Sequence, residues 1–275
     1  MRNRKYMPAP LMVALMTILL LVANITSIVE AAVPDAKATV IKAFHQNIKD
    51  CHITINAEGS ITLLGQANSF GCSMEGDVQA KPLVGKATMK FTMDLPTGAI
   101  ADNGEAYFEV INNQETVYTK ENNNWQKTSV PIVNLTDYDK YITAAKLIRE
   151  DNTVAVFEVT FTKEALKTFE LIQPQGMPKP LGINWLDGIG DIKTIVTIDK
   201  KTSTISELAI DLSKFIATIV ETAIAEKLPD DKKQLVKIIT DNFKANLDIK
   251  ITPIKLKEKI IIPKEAKDAP LVSVH

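Results

Sequence analysis

The stretches HITINAEGSITL (residues 52–63), SFGCSMEGDVQA (residues 69–80) and KATMKFTMDL (residues 86–95) decide the fold of this chain. In the first stretch, apolar or small residues hold the odd positions and polar residues hold the even ones. The apolar set moves to the even numbers in the second stretch and returns to the odd numbers in the third. Such alternation is typical of strands with one wet face and one dry face. The three stretches therefore predict an antiparallel meander with one long apolar surface.

The rest of the chain adds more strands and several helices to this prediction. Further strands are predicted at Glu105–Ile111, Glu115–Lys120, near Trp125, and at Asn152–Thr162, Asp191–Asp199, Thr204–Leu212 and Ala245–Leu256. Apolar residues at helical spacing predict helices at Pro34–Lys49, from Thr136 or Asp137 to Glu150, at Lys163–Ile172, and as a hairpin over residues 213–243. Proline and glycine predict a loop over Gln173–Gly190, and the end of the chain after Pro263 is expected to fray.

The N-terminus has the three parts of a secretory signal. Arg2, Arg4 and Lys5 precede an apolar run from Leu11 to Ala23, which at 13 residues is short for a spanning helix. Val29-Glu30-Ala31 then predicts cleavage before Ala32, with an uncleaved anchor as the alternative. We expect one exported domain over residues 32–275, periplasmic or extracellular and associated with the cell envelope, with no stable membrane span after cleavage.

Composition excludes some classes of partner. The full chain carries 32 Lys and Arg against 33 Asp and Glu, and removal of the signal would leave a net charge of −3. Nucleic-acid binding requires a basic surface, so we expect no nucleic-acid partner. The absence of a Ser- or Gly-rich linker and of a clear repeat favours a single domain.

The two cysteines present a choice between a disulfide and two free thiols. Two cysteines in an exported chain would suggest a bond. If residues 65–68 form the first hairpin turn, however, Cys72 faces the neighbourhood of Ile61 and Gly59. Cys51 then lies about eight residues further along, roughly 26 Å away, whereas a disulfide needs Cα atoms within about 7 Å. The hairpin register predicts two unpaired thiols, with Cys72 on the dry face.

No catalytic, metal or phosphate motif stands out. Cys51 and His52 are neighbours in a strand, so they point to opposite faces and cannot form a dyad, and His52 is expected to be an exposed strand residue. His45, His52 and Cys51 lack the short paired spacings of zinc sites, and no Gly-rich loop follows a strand. We therefore predict a protein that is not an enzyme and that uses no cofactor and no metal.

The apolar face of the sheet is the candidate ligand site. A twisted sheet with one dry face curls around whatever covers it, here the predicted helices at 34–49, 137–150 and 213–243. If these helices fill the concave side, the face is an ordinary core. If they leave a gap, methionine and phenylalanine would line it and adapt to an acyl chain, namely Met74, Met89, Phe91, Met93, Phe108, Phe157 and Phe161.

The order of elements resembles the LolA/LppX-like family of exported lipid- and lipoprotein-carrier domains, together with a related group of bacterial lipoproteins. The resembling stretches are residues 52–95, AYFEVINNQETVYTKENNNW (residues 106–125), TIVTIDKKTSTISELAIDL (residues 194–212) and the closing IIIPKEAKDA. The resemblance implies an α+β fold in which a long antiparallel meander curls into a half-barrel, with helices on the concave face. It also implies that a lipid or a lipoprotein acyl chain binds there.

Two features depart from the family pattern. No Cys stands near the predicted cleavage site, so the chain lacks the lipid-modified cysteine of the lipoprotein members. The helical hairpin at 213–243 is also large enough to fill the cavity. The alternative to a lipid carrier is therefore an envelope interaction or sensor module with a filled core, which an envelope protein would contact through an edge strand or a helix.

Overall fold

An open antiparallel sheet of eleven strands dominates the fold, which is α+β with few helices. The structure is a computed structural model, and it describes residues 35–46, 49–63, 66–95, 98–111, 114–121, 123–131, 139–166, 190–225, 236–237 and 240–272. The predicted signal peptide, most of the predicted loop at 173–190 and the middle of the predicted helical hairpin lie outside these residues.

The strands are β1 (Cys51–Leu63), β2 (Gln66–Gln79), β3 (Val84–Leu95), β4 (Gly98–Ile111), β5 (Gln114–Glu121), β6 (Asn124–Pro131), β7 (Ile142–Glu150), β8 (Val154–Phe161), β9 (Ile192–Asp199), β10 (Thr204–Asp211) and β11 (Phe243–Pro253). Their spatial order is β6-β5-β4-β3-β2-β1-β11-β10-β9-β8-β7. Two meanders therefore meet where β1 pairs with β11, and β6 and β7 form the two edges. The predicted antiparallel meander is confirmed.

The helices are α1 (Ala36–Phe44), α2 (Ser213–Ala225) and the single turn α3 (Lys264–Lys267). Helix α1 is shorter than predicted because Asp35 caps its start, where its side chain accepts from the Lys37 amide, and because the helix ends at Phe44. It packs against β7, β8, β9 and β10, while α2 packs against β11. The first arm of the predicted helical hairpin is confirmed, but residue 243 begins β11 instead of ending the second arm.

The helix predicted from residue 137 to Glu150 is wrong, because Ile142–Glu150 forms the edge strand β7. Two register shifts interrupt its pairing with β8, one between Ile142 and Ala144 and one between Leu147 and Arg149. These irregularities remove the period-two pattern and leave apolar residues at a helix-like spacing. The predicted helix at Lys163–Ile172 is also wrong at its start, since Lys163–Leu166 forms only a 3-10 turn.

The first hairpin is tighter than predicted. Leu63 pairs with Gln66, so Cys72 lies opposite Ala57 and Cys51 lies opposite Val78. The predicted register is wrong by four residues, which is an even number, and every side chain therefore keeps its predicted face. Both cysteines are free and Cys72 is buried, as predicted, and Cys51 is buried as well.

The C-terminal segment is docked instead of frayed. Its buried residues Ile262 and Ala266 join Val84, Tyr107 and Tyr118 in a second apolar cluster. The amide of Val272 donates to the Lys127 carbonyl, and the Lys127 amide donates to the Pro270 carbonyl. The chain end thereby forms a parallel bridge to the edge strand β6. This segment covers the part of the outer face around Val84, Tyr107 and Tyr118.

Candidate functional site

The candidate site is the inner face of the sheet, which we define by the pairing register. Cys51, Val78, Gly85, Phe108 and Val117 lie in one row across β1 to β5. Every second residue along these strands belongs to the same face. The main buried cluster of the protein occupies this face and extends from Val117 on β5 to Ile142 on β7. The inner face is thus apolar across nearly the whole sheet.

The register places all seven predicted lining residues on this inner face. Met74, Met89, Phe108 and Phe157 are buried, whereas Phe91, Met93 and Phe161 are partly exposed. Met74 pairs with Met89, Phe91 and Met93 follow Met89 at two-residue steps on β3, and Phe108 lies on β4 four residues from Gly104, which is the partner of Met89. Phe157 and Phe161 lie on β8, five strands from β2 in the spatial order. The predicted set therefore divides into two groups.

Helix α1 covers the second group. The ring of Phe161 meets the ring of Phe44 edge-to-face, with centroids 6.1 Å apart. Phe157 lies four residues earlier on the same face of β8 and is 4% exposed. Phe157 and Phe161 are explained as core under a helix, and the candidate lining reduces to Met74, Met89, Phe91, Met93 and Phe108.

Glycines shape the inner face around its aromatic rings. A Cβ atom on Gly85 would overlap the ring of Phe108, and one on Gly59 would overlap the ring of Phe70. Gly85 pairs with Phe108 and Gly59 pairs with Phe70 across neighbouring strands. The missing side chain lets each ring lie flat over the adjacent strand. These rings are held close to the sheet and do not project freely away from it.

Sequence reasoning missed one residue of the inner face, Glu115. It lies on β5 opposite Val110 and two residues before Val117, and it is only 3% exposed. Burial raises its pKa to about 8, and within the described chain its Oε1 atom has no hydrogen-bond partner. The sequence does contain a signal for this placement. Glu115 and Val117 are both at odd positions of one predicted strand, so their side chains point to the same face.

The two cysteines belong to the inner face and are poor nucleophiles. Burial raises the pKa of Cys51 to about 12, with Asp50 and Asp77 adding to the effect. Burial also raises the pKa of Cys72 to about 11. The thiolate is the reactive form of cysteine, and it is scarce at neutral pH in both positions.

The outer face is polar and contains a cleft of about 660 Å³ over β2 to β5, lined in part by Ser73, Glu75, Lys90, Asn103 and Glu105. His52 lies beside this region and is partly buried, which corrects the expectation of an exposed residue. Its Nδ1 atom is 2.7 Å from Asp77 and its Nε2 atom is 3.3 Å from Glu75. Both ring nitrogens thus face carboxylates of β2.

The described residues contain no group of three or more His, Cys, Asp or Glu side chains arranged to hold a metal ion. Within the same residues, every helix is too short or too polar to cross a bilayer. Comparison of the chain with protein-family models and with curated proteins found no match.

Proposed function

We propose that this protein is a non-enzymatic cell-envelope protein that binds a lipid or a lipoprotein acyl chain along its inner face, in the manner of the LolA/LppX-like carriers that its sequence resembles. The observation that carries the proposal is the group of five large apolar side chains on β2, β3 and β4. The main contacts of α1 and α2 fall on β7 to β11, on the other half of the sheet.

The chemistry of these five residues suits an aliphatic ligand. Met74, Met89 and Met93 have flexible, polarizable side chains that fit irregular apolar surfaces. Phe91 and Met93 are partly exposed, whereas Met74 and Met89 are 1% and 2% exposed. The strip therefore has a more open end at Met93 and a closed end toward Phe108, as expected for a chain that enters from one side.

The lack of an activated group in the described residues favours binding over catalysis. The thiols have raised pKa values, and the nitrogens of His52 are engaged by carboxylates. A binding protein needs only shape and apolar area, which the inner face supplies.

Uptake of the neutral fluorescent probe N-phenyl-1-naphthylamine tests this proposal. We expect saturable fluorescence enhancement with the wild-type chain. Met93→Asp places a charge at the partly exposed end of the strip and should weaken probe binding at least about tenfold, because burying an unpaired charge beside the probe is unfavourable. Thr88→Asp introduces the same charge on the outer face of the same strand and should leave binding unchanged. Absent uptake, or equal effects of the two variants, would overturn the proposal.

A second candidate is an interaction module, and the docked chain end favours it. β6 is an edge strand, and Lys127 on it already pairs with residues 270–272 through two backbone hydrogen bonds. An edge that pairs with one segment can pair with another by strand addition. This function predicts no probe uptake, together with concentration-dependent dimerisation of a chain truncated after Asp268. A truncated chain that stays monomeric in light scattering would exclude a second copy as the partner.

A further inference from the structure

Glu115 is a buried acidic residue on the largely apolar inner face. It lies in the last inward-facing row of β4 and β5, opposite Val110, one row beyond Phe108 and Val117. Those two residues are 0% and 1% exposed, and Glu115 itself is 3% exposed. A carboxyl group therefore closes the buried end of the strip that begins at Met93.

Nothing in the described chain compensates for the burial of this carboxyl group. Its Oε1 atom accepts no hydrogen bond, and none of the described ion pairs includes Glu115. A buried polar atom without a partner costs about 1–3 kcal/mol, and more if it is charged. Unsatisfied buried groups are uncommon in folded proteins, and they occur where a ligand or another group completes the bonding.

We propose that Glu115 receives the head group of an amphiphile whose aliphatic chain lies along β3 and β4, and that this head group donates a hydrogen bond and carries no negative charge. This inference rests on the proposed lipid-binding function and specifies its ligand class. Monoacylglycerols and long-chain amines belong to the class, whereas fatty acids do not.

The dimensions of the inner face fit such a ligand. Val110, opposite Glu115, and Gly104, opposite Met89, are six residues apart on β4. At about 3.3 Å per residue, that separation is roughly 20 Å of extended strand. The strip continues for two more rows past Phe91 to Met93. An acyl chain of roughly 20 Å can thus lie on the apolar rows between Val110 and Met89, short of Asp102 opposite Phe91, while its head reaches the carboxyl group.

Charge determines which head groups fit. A hydroxyl group can donate to Oε1 whether the carboxyl group is ionised or not. An ammonium group pairs with the ionised form in a charge-assisted bond. Once Glu115 is ionised, above about pH 8, a fatty-acid carboxylate would bring a second negative charge into the same low-dielectric region, where the two charges repel each other strongly. The buried row around Phe108 and Val117 offers no described cation to offset that repulsion.

Competition against bound N-phenyl-1-naphthylamine tests the inference with three ligands of equal chain length: 1-monolauroylglycerol, dodecylamine and dodecanoate. At pH 9, where Glu115 is ionised, we expect the first two to displace the probe from wild-type protein at concentrations at least about tenfold lower than dodecanoate requires. In Glu115→Gln, the advantage of dodecylamine over dodecanoate should fall about tenfold. The glycerol ester should keep its advantage over dodecanoate, because the Gln carbonyl still accepts a hydrogen bond. Glu58→Gln, on the exposed outer face of β1, is the matched control and should change nothing.

The outcomes separate this inference from the function on which it rests. Equal displacement by all three ligands, or an unchanged ranking in Glu115→Gln, would overturn the role of Glu115 and leave lipid binding intact. Failure of the wild-type chain to take up the probe would overturn both. If Glu115→Gln does not fold, Glu115→Asp replaces it, since this change moves the carboxylate back by one methylene group. Displacement of the probe by dodecylamine and by the glycerol ester should then weaken together. An unchanged ranking of the three ligands would count against the inference.

Discussion

Cys72 lies opposite Ala57, six residues along β1 from Cys51, and both cysteines face the same side of the sheet. Six residues of extended strand separate the two Cα atoms by roughly 20 Å, far beyond the reach of a disulfide. The two thiols thus remain free because the sheet holds them apart and buries them.

Thiol titration checks this arrangement. In the native protein, Cys51 and Cys72 should react slowly with Ellman's reagent, because both are buried and have raised pKa values. Addition of guanidinium chloride should release two thiols per chain. An intact mass two hydrogens below that of the reduced chain, together with a disulfide-linked Cys51–Cys72 peptide after digestion, would contradict the register of β1 and β2.

Glu115 should make stability fall as pH rises. Burial raises the pKa of Glu115 from 4.5 to about 8 in the folded chain, so folding favours its protonated form. That stabilisation is present below pH 4.5 and is lost as pH rises through about 8. Relative to wild type, Glu115→Gln should therefore gain roughly 2–4 kcal/mol in free energy of unfolding between pH 5 and pH 9. Urea denaturation at the two pH values measures this, and a difference that does not change with pH would refute the buried, unpaired carboxyl.

Gly85 should not tolerate a side chain. The Cβ of Gly85→Ala would overlap the buried ring of Phe108, and we expect a loss of about 1–3 kcal/mol in free energy of unfolding from the strained core. Gly190→Ala is the control, since a Cβ there meets nothing within 4 Å. Similar thermal midpoints for the two variants would show that Phe108 does not lie over Gly85.

The docked chain end should contribute measurably to stability. Ile262 is 6% exposed in the cluster with Tyr107 and Tyr118, whereas its neighbour Ile261 is 79% exposed. Ile262→Ala should cost about 2–4 kcal/mol in free energy of unfolding, as expected for a large-to-small change in a core. Ile261→Ala should change stability by less than about 0.5 kcal/mol. Equal effects in chemical denaturation would indicate that the segment does not dock on β4 and β5.

The local pattern of the sequence predicts most strands, and the failures have physical causes. β1, β2 and β3 alternate strictly because one face is buried, and the predicted faces survive a register error of four residues. β7 escapes prediction because its two bulges break the alternation and because Ala, Leu, Lys and Arg favour helices. Its pairing with β8 overrides that propensity.

Long-range relationships are invisible in the sequence pattern. Nothing local indicates that β1 pairs with β11, or that residues 260–272 return to cover Tyr107 and Tyr118. The sequence correctly predicts which face of the sheet holds the lining residues of the candidate site, because odd and even positions along a strand point to opposite faces. The division between Phe108 and Phe157 depends on where α1 packs, and the burial of Glu115 depends on neighbours contributed by other strands.

Occupancy of the inner face is tested most directly by native mass spectrometry of the full chain, expressed in cells and purified without detergent. We predict a population whose mass exceeds that of the polypeptide by one amphiphile, which organic extraction releases as a lipid with a hydroxyl or amine head. Met93→Asp should reduce this population, and Thr88→Asp should not. A protein that carries no added mass, and that takes up neither monolauroylglycerol nor dodecylamine when these are supplied, would contradict lipid binding by this sheet.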